Sequence, residues 1–332
     1  MPTLYIQEQG AQIRKRDEQL VVMRDGQVVQ HIPLRTIERV VVMGRGVQIT
    51  TALLIDLIGR DVPVIFTNQR GSRHYATVHA AASRDGALRL QQLALVSDAD
   101  HTLTTARDVL AAKLHNQQVV LRRQSWPAAG DACAQIARAA AGLAEATTLD
   151  QVRGYEGAAA AAYFQAWRAS LPPAWGFAGR AFHPPPDPLN AALSFGYTLL
   201  QHDMSTAIQV SGLDLYLGTF HVPQPGRPSL ALDLMEAFRP ALVDQLILSL
   251  VRDGALRPTM HVRPADRPHA VLLDDAGRAM LIDRYEALMR QTTRLASGEQ
   301  TNWRRVLTLQ AWAFARMVRG DDARYRGHHL DG

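Results

Sequence analysis

The sequence is poor in cysteine and has no long apolar run. Its 332 residues include a single cysteine, Cys133, which excludes a disulfide framework and a cysteine metal cluster. No hydrophobic stretch approaches the roughly 20 residues that a bilayer-spanning helix needs. The stretch from Met1 to Arg16 carries charges early and lacks the apolar centre of a signal peptide. These absences predict a soluble, cytoplasmic protein with no membrane partner.

Lysine is also scarce, because Lys15 and Lys113 are the two lysines among 36 basic residues and all the others are arginines. The formal net charge of +5 permits a polyanionic partner without requiring one. The guanidinium fork grips phosphate with two hydrogen bonds, which suits nucleic acid. A GC-rich genome would favour arginine, alanine, glycine and proline together, so arginine usage alone does not decide between the two explanations.

The first 78 residues have the pattern of short β-strands. The apolar runs Leu20 to Met23 and Val28 to Ile32 flank Asp25-Gly26, a pair of residues that favours a tight hairpin. Further on, Thr50 or Thr51 can cap a short helix that Gly59 ends. These strand-like runs and turns predict a β-rich N-terminal domain.

From about residue 87 onward, apolar residues recur at helical spacing. The predicted helices are Leu103 to Arg123, Asp131 to Ala146, Tyr155 to Ser170, Asn190 to Ser211, Leu242 to Arg252, Ala279 to Leu295 and Trp303 to Arg319. The basic stretch from Arg316 to His329 is expected to form a flexible end. The fold class is therefore α+β, with a small N-terminal β-sheet domain followed by a larger all-α helical domain. The boundaries are 1–82 and 83–332, with the join near residues 79–86.

Three residues are candidates for metal chemistry, because each lies among apolar neighbours. Glu156 lies at the head of an alanine-rich predicted helix, His221 ends an apolar segment, and Glu236 follows Leu234 and Met235. A carboxylate in such surroundings is costly to bury unless a cation or a donor faces it. If two carboxylates and one imidazole converge, that set of ligands suits Mg²⁺ or Mn²⁺ better than structural zinc.

Each candidate also has a plain structural interpretation. A glutamate in the first turn of a helix, as predicted for Glu156, is favourable with the helix dipole. His221 could be solvated or satisfied in the core, and Asp233, Glu236 and Arg239 could form one polar helix face. Pro240 is expected to end a short helix at Phe238 and to bend the chain. Spacing alone does not show that the three candidates meet.

Five segments, in this order along the chain, resemble the CRISPR-associated protein one family, the integrase subunit of the spacer-acquisition complex. The matching segments are Lys113 to Gln117, Arg153 to Gly157, Phe177 to Arg180 with Pro184 to Tyr197, Gly212 to His221, and Leu232 to Pro240. The division into a β domain and a helical domain also fits that family, whose N-terminal domain dimerises and whose helical domain holds the metal.

The resemblance implies roles for particular residues. Glu156, His221 and Glu236 occupy the metal-ligand positions and are the predicted catalytic residues, with Mg²⁺ or Mn²⁺ as cofactor. Glu236 stands where some relatives have aspartate. Arg153, Arg180 and Arg239 are the predicted DNA-phosphate contacts, although a surface or structural ion pair is an equal alternative for each. The resemblance makes Asp233 a supporting residue or an alternative ligand, and Asn190 a residue that fixes the loop or helix start.

The implied function is a metal-dependent DNA endonuclease and integrase that joins the 3′-hydroxyl ends of prespacer DNA to CRISPR repeat boundaries by transesterification. The implied partners are double-stranded and branched DNA, a second copy in a homodimer, and a small CRISPR-associated subunit that bridges two dimers. The first alternative is a non-catalytic DNA-binding or branch-recognising scaffold. A metal-dependent hydrolase of small phosphate esters is the second, and the absence of a Gly-x-x-x-x-Gly-Lys loop disfavours it.

Overall fold

The computed structural model describes residues 3–69, 71, 74–78, 85–181, 184–295 and 298–331. The chain divides into two compact units, Met1–Arg84 and Asp85–Gly332. The expected boundary between residues 82 and 83 lies outside the described residues. The first unit is built on β-sheets and the second is mostly helical, so the predicted α+β fold class is confirmed.

The N-terminal unit has two sheets and one helix in its described part. Its elements are β1 Thr3–Ile6, β2 Gln12–Arg16, β3 Gln19–Arg24, β4 Gln27–Pro33, β5 Arg39–Met43, β6 Gln48–Ile49, α1 Thr51–Gly59, β7 Val64–Thr67 and β8 His74–Val78. One sheet has the order β1-β5-β7-β8, in which β8 alone is antiparallel to its neighbour. The other has the order β4-β3-β2-β6, in which β6 runs parallel to β2 and the other neighbours are antiparallel.

Two local predictions for this unit are confirmed. Asp25 and Gly26, with φ of 49° and 77°, turn the chain between the antiparallel strands β3 and β4. Positive φ at both central residues is what a type I′ hairpin turn requires. The Thr50 side chain accepts a hydrogen bond from the Leu53 amide and caps α1. Buried apolar residues of both sheets and of α1 form one core.

In its described part, the second unit is a helical assembly with two short strand pairs. Its elements are α2 Gly86–Ser97, α3 Ala99–Arg122, α4 Ala129–Ala144, α5 Leu149–Ser170, α6 Pro188–Ser211, α7 Ser229–Leu234, α8 Gln245–Arg252, β9 His261–Val262, β10 Leu272–Leu273, α9 Asp275–Arg290, β11 Thr292–Arg294, β12 Gln300–Asn302 and α10 Trp303–Arg319. A π-helical segment, Arg239–Asp244, leads directly into α8. Strand β9 pairs with β10 and β11 with β12, both antiparallel. In the described part of the chain, no helix is long and apolar enough to cross a membrane.

Helix α6 lies at the centre of this unit, because residues on all its sides are buried. Buried residues on every face are expected of a helix that lies inside a core. It approaches the π-helical segment closely at Gly196, where an added Cβ would lie 2.6 Å from Cγ1 of Val243. A side chain at this position would therefore push apart the two elements that carry Tyr197 and Asp244.

Several predicted helix bounds are wrong, each for a local reason. Helix α5 begins at Leu149 rather than at Tyr155, because the Thr148 side chain caps it by accepting from the Gln151 amide. Helix α9 ends at Arg290 rather than at Leu295, because the chain becomes extended there and β11 pairs with β12.

The region around Glu236 and the C-terminal stretch also differ from expectation. Helix α7 ends at Leu234, so Glu236 lies in a turn and not in a helix that continues to Phe238. The expected flexible end is wrong as well. Helix α10 continues to Arg319, and beyond it Tyr325 and Leu330 are buried. The Asn116 side chain on α3 binds this stretch at the His328 carbonyl and the Leu330 amide.

Candidate metal and DNA site

Glu156 projects from α5 at about its eighth residue. Because α5 begins at Leu149, Glu156 lies two turns into the helix and not in its first turn. The interaction with the helix dipole falls off within the first turn, so the dipole does not account for a glutamate here. The carboxylate instead accepts a hydrogen bond from Lys113 Nζ at 2.6 Å, and Lys113 lies on α3.

His221 is fixed by Asp233, which lies on the neighbouring helix α7. Oδ1 of Asp233 accepts from the His221 amide at 2.8 Å and contacts the ring Nδ1 at 2.7 Å. Oδ2 accepts from the amides of Thr219 and Phe220 at 2.6 and 3.1 Å. With Nδ1 as the donor to Asp233, the other ring nitrogen, Nε2, is the one available to a ligand.

The segment before His221 fits against α7 because residue 218 is glycine. A Cβ at Gly218 would lie 2.7 Å from the Ser229 backbone carbon and 2.8 Å from Oδ2 of Asp233. The close approach brings three successive amides onto one carboxylate. This local geometry, rather than a helix, determines where the imidazole lies.

Glu236 lies in the turn after α7 and is 4% exposed. Its Oε2 lies 2.7 Å from Lys113 Nζ, and its Oε1 lies 3.2 Å from Nε of Arg239 and 4.0 Å from Nε2 of His221. Burial alone would raise the pKa of Glu236, but attraction to Lys113, Arg239 and His221 outweighs it and lowers the pKa to about 2. Glu236 is therefore an anion throughout the neutral range.

Lys113 is the cation shared by the two glutamates, with 9% of the residue exposed. Burial favours the neutral amine, yet attraction to Glu236 and Glu156 is stronger in sum and raises the pKa of Lys113. Its ammonium contacts both carboxylates, at 2.6 and 2.7 Å. Within the described residues, no three carboxylate, imidazole or thiol side chains stand together as a ready-made metal cluster.

The donor set nevertheless fits a hard divalent cation. Two carboxylates and an imidazole that has Nε2 available match the ligand preference of Mg²⁺ and Mn²⁺. Oε2 of Glu236 is buried and pairs with the Lys113 ammonium at 2.7 Å. A buried carboxylate oxygen that already faces a cation can accept a metal ion in its place.

A single cavity of about 640 Å³ joins these groups to the predicted phosphate contacts. Glu156, His221, Glu236 and Lys113 line it, together with Arg180, Arg239 and Tyr197. The guanidinium carbons of Arg180 and Arg239 lie 5.3 and 4.6 Å from the centroid of the Tyr197 ring. Stacking on an aromatic ring in this distance range holds two like charges on one wall of the cavity.

Asp244, on the π-helical segment, lies behind Tyr197. Its carboxylate accepts from the hydroxyls of Tyr197 at 2.6 Å and Tyr163 at 3.1 Å. Burial raises the pKa of Asp244 to about 6, against the hydrogen bonds of the two tyrosines and the attraction of Arg239 and Arg180, which lower it. The buried Asp244 carboxylate thus fixes the position of Tyr197, on which both arginines stack.

The remaining sequence candidates divide into two groups. Asn190 fixes the loop before α6, since its side chain accepts from Arg180 and from the Ala181 amide and donates to the Gly179 carbonyl. Arg153 does not line the cavity, and it pairs with Asp150 at 2.6 Å on an exposed surface. The structure therefore brings Glu156, His221, Glu236, Arg180 and Arg239 to one cavity and leaves Arg153 outside it.

Sequence reasoning assigned no role to Lys113, Tyr197 or Asp244. Lys113 carried a usable signal, because it is one of two lysines in an arginine-rich chain and begins one of the resemblance segments. Asp244 carried a weaker one, since an aspartate inside the apolar run from Ala241 to Leu248 has to be satisfied by a partner. Tyr197 carried no signal in the sequence other than its position in one of the resemblance segments.

Comparison with known proteins gives the family. A family model described as CRISPR associated protein Cas1 matches residues 4–287. A relative named CRISPR-associated endonuclease Cas1 1, from Thermus thermophilus, is 36% identical over 284 residues, which cover 86% of this chain and 85% of the relative. The chain belongs to the CRISPR-associated protein Cas1 family, and the resemblance noted in the sequence is confirmed.

A second relative is longer than this chain. It is a CRISPR-associated exonuclease Cas4/endonuclease Cas1 fusion from Rhodospirillum rubrum, 34% identical over 331 residues. The match covers 97% of this chain and 56% of the fusion, so the chain spans little more than half of that relative's length.

Solved structures support the same fold. A casposase bound to integration product superposes with a TM-score of 0.84 at 21% identity, covering 98% of this chain and 93% of the casposase. A Cas6-RT-Cas1–Cas2 complex gives 0.81 at 19% identity, covering 99% of this chain and 36% of the matched chain. At these identities the likeness concerns the fold alone.

Proposed function

We propose that this chain is a metal-dependent DNA endonuclease and integrase that joins the 3′-hydroxyl ends of prespacer DNA to CRISPR repeat boundaries by transesterification. One observation carries the proposal. Glu156, His221 and Glu236 come from α5 and from two later segments, and they line one cavity whose wall also holds Arg180 and Arg239. The names of the relatives as endonucleases, and the casposase likeness, agree with it.

Each side chain has a role that follows from its surroundings. Glu156, Glu236 and the Nε2 atom of His221 would hold Mg²⁺ or Mn²⁺, and Asp233 keeps the imidazole oriented for that purpose. When bound, such an ion neutralises charge on the reacting phosphate and activates the attacking hydroxyl. Arg180 and Arg239 bind the phosphates of the DNA and fix its position on the cavity wall.

The proposed partners follow from the same family. We infer that the chain acts as a homodimer through its N-terminal β unit, with residues 1–82 as the dimerisation domain and 83–332 as the catalytic domain. A small CRISPR-associated subunit would bridge two such dimers, in line with the Cas1–Cas2 complex among the solved structures. Strand β4 ends one sheet and exposes Val28 and Val29, a surface suited to a second copy. If this inference is right, light scattering should show that the Val29→Glu variant is a monomer.

The central test compares strand cleavage and joining by the wild type and by Glu156→Ala. Purified protein is incubated with labelled branched DNA and Mn²⁺, and products are separated by size. Wild-type protein should cut and join strands, whereas Glu156→Ala should do neither because a ligand has been removed. Glu145→Ala is the matched control, since Glu145 is an exposed glutamate at the end of α4, outside the cavity. Equal activity of the wild type and Glu156→Ala would sink the catalytic assignment.

A non-catalytic DNA-binding or branch-recognising scaffold is the second candidate. The observation in its favour is that Lys113 satisfies the two glutamates by itself, at 2.6 and 2.7 Å. A scaffold would bind branched DNA equally well with and without Mn²⁺ and would leave it intact. The cleavage assay therefore separates the two candidates when it is run beside a binding measurement on the same DNA.

A further inference from the structure

Lys113 holds the two glutamates at the centre of the site, and this arrangement has a consequence for metal binding. Its Nζ is 2.6 Å from Oε1 of Glu156 and 2.7 Å from Oε2 of Glu236. We propose that Lys113 is the resident counter-ion of the site, which a divalent cation must displace from these oxygens, so that Lys113 weakens metal binding. The inference rests on the proposed function, because it assumes that Glu156 and Glu236 are metal ligands.

Electrostatic repulsion between the two glutamates requires a counter-ion at the site. Two carboxylates that face each other in a buried site repel, and leaving either without a cation is costly. Lys113 supplies a full positive charge to both from α3, while Arg239 reaches only Oε1 of Glu236. In the absence of a metal, Lys113 is thus the group that makes the site compatible with folding.

A bound metal and the Lys113 ammonium compete for the same atoms. A cation that uses Oε1 of Glu156 and Oε2 of Glu236 claims the oxygens that the ammonium contacts. Positive charges a few ångströms apart repel strongly at the low polarity of a protein interior. The ammonium therefore leaves at least one carboxylate when the metal binds, and breaking that ion pair reduces the net affinity of the site for the metal.

A lysine suits a displaceable counter-ion better than an arginine does. Lysine carries a compact charge on a flexible stem, whereas arginine is a planar fork that pairs in a fixed geometry. A removable counter-ion requires the flexible side chain, and Lys113 lines the cavity into which it can withdraw. In a chain whose basic residues are otherwise arginines apart from Lys15, a lysine here is consistent with a charge that moves.

Lys15 provides a matched control. It too lies between two carboxylates, with Nζ 2.7 Å from Asp56 and 3.8 Å from Glu18. Its side chain is 30% exposed, against 11% for Lys113, and it belongs to the N-terminal unit. Replacing Lys15 removes the same charge from a similar pair without touching the proposed ligands.

The experiment measures Mn²⁺ affinity directly, by the electron paramagnetic resonance signal of free Mn²⁺ in titrations of the full chain. Lys113→Met should bind Mn²⁺ about tenfold more tightly or better than the wild type, because a neighbouring like charge has been removed. Lys113→Gln, which keeps a polar group near the acids, should shift in the same direction. Lys15→Met should match the wild type. Equal or weaker Mn²⁺ binding by both Lys113 variants overturns the inference.

Thermal unfolding is the second readout and serves if the Lys113 variants are unstable. In EDTA, Lys113→Met should unfold at a lower temperature than the wild type, and Mn²⁺ should raise its midpoint by more than it raises that of the wild type. A purely structural lysine would lower the midpoint equally with and without Mn²⁺, and that result overturns the inference.

The two proposals fail in different ways. If the wild type binds Mn²⁺ and Glu156→Ala does not, the proposed metal site stands whatever the Lys113 variants show. If the wild type binds no Mn²⁺ and Lys113→Met does bind Mn²⁺, the counter-ion inference is supported in its strongest form. Should neither bind Mn²⁺, the metal site and the counter-ion inference both fall.

Discussion

Two clusters of charged side chains in the helical unit differ in what they face. The cavity cluster consists of Lys113, Glu156 and Glu236, with ion pairs of 2.6 and 2.7 Å. The sealed cluster consists of Arg304, Glu286 and Asp203, in which one guanidinium nitrogen lies 2.7 Å from Glu286 and 3.5 Å from Asp203. In each cluster a cation lies between two acids. The first cluster lines the 640 Å³ cavity, and no member of the second does.

This difference shows that burial of a charge does not by itself indicate a functional site. Glu286 and Asp203 are 5% and 4% exposed, so they are buried as deeply as Glu236 at 4%. Depth alone therefore does not mark a site. What sets the cavity cluster apart is a lysine rather than an arginine between the acids, an imidazole held by its own carboxylate, and open space beside them.

The largest expected effect tests the sealed cluster. Arg304→Met keeps much of the apolar stem but leaves Glu286 and Asp203 without this cation. Breaking a buried pair in this way costs about 3–5 kcal/mol of unfolding free energy. Urea unfolding followed by circular dichroism should show that loss equally in EDTA and in Mn²⁺, and Mn²⁺ affinity should not change.

Arg305→Met is the matched control for that variant. Arg305 is the exposed neighbour of Arg304 and stacks on Trp312 with its guanidinium carbon 4.4 Å from the ring centroid. Its loss should cost no more than about 1 kcal/mol, as for exposed cation–π contacts. A shift in Mn²⁺ affinity on replacing Arg304 would contradict the separation of the two clusters.

The sequence was sufficient for the fold class because hydrophobic spacing changes near residue 87 from strand-like to helical. The sequence was insufficient where tertiary contacts determine which residues meet. The amides that surround Asp233 come from residues 219–221, and the partner of Lys113 on α5 is 43 residues away. No local pattern shows that such residues meet, and only the family resemblance brought Glu156, His221 and Glu236 together in advance.

Some errors came from capping and pairing that a spacing pattern does not register. The Thr148 cap starts α5 six residues before the predicted start, which removed the dipole explanation for Glu156. The contacts of Asn116 with the stretch after α10 are equally nonlocal, so that stretch was expected to be flexible. For Arg153 the family position predicts a contact with DNA, which stays a prediction, and in the structure it forms the ion pair with Asp150 that the sequence left open as the alternative.

Two groups of the helical unit titrate in opposite senses, and only Asp244 of the two lines the cavity. Asp244 lines the cavity, and burial raises its pKa to about 6 from 3.8, so the folded state binds the proton more tightly than the unfolded state does. Stability from Asp244 therefore falls as pH rises from about 4 to 6, by roughly 3 kcal/mol.

His328, which stacks on Phe238 with ring centroids 5.4 Å apart, does the reverse. Burial, with repulsion from His329, lowers its pKa to about 4 from 6.5, although Asp331 favours its charge. The folded state binds fewer protons than the unfolded state between these values, so stability from His328 rises with pH, again by roughly 3 kcal/mol.

The two contributions nearly cancel in the wild type, and single variants should reveal them. Asp244→Asn should make the unfolding free energy rise by roughly 3 kcal/mol from about pH 4 to 6.5, and His328→Phe should make it fall by a similar amount. Urea unfolding at several pH values measures both slopes. Identical slopes in the wild type and both variants would show that neither group titrates in this window.

The smallest expected effect is on the support of His221. Both oxygens of Asp233 accept from N–H groups, Oδ1 from the His221 amide and ring and Oδ2 from the amides of Thr219 and Phe220. In Asp233→Asn an amide nitrogen replaces one of these acceptors and faces donors, so the imidazole loses its fixed orientation. Loss of such a partner weakens metal binding by about 10- to 100-fold, or roughly 1.4–2.8 kcal/mol.

Titration with Mn²⁺ measures that loss, and Asp214→Asn is the control. Asp214 lies in the same segment, accepts from the Tyr216 amide at 2.8 Å and does not line the cavity. Only the Asp233 variant should bind Mn²⁺ more weakly, and ¹⁵N imidazole spectra should show an altered tautomer for His221 in the metal-free protein. Unchanged Mn²⁺ affinity in Asp233→Asn would mean that the imidazole does not reach the metal. The cavity cluster would then, like the sealed one, serve only to stabilise the fold.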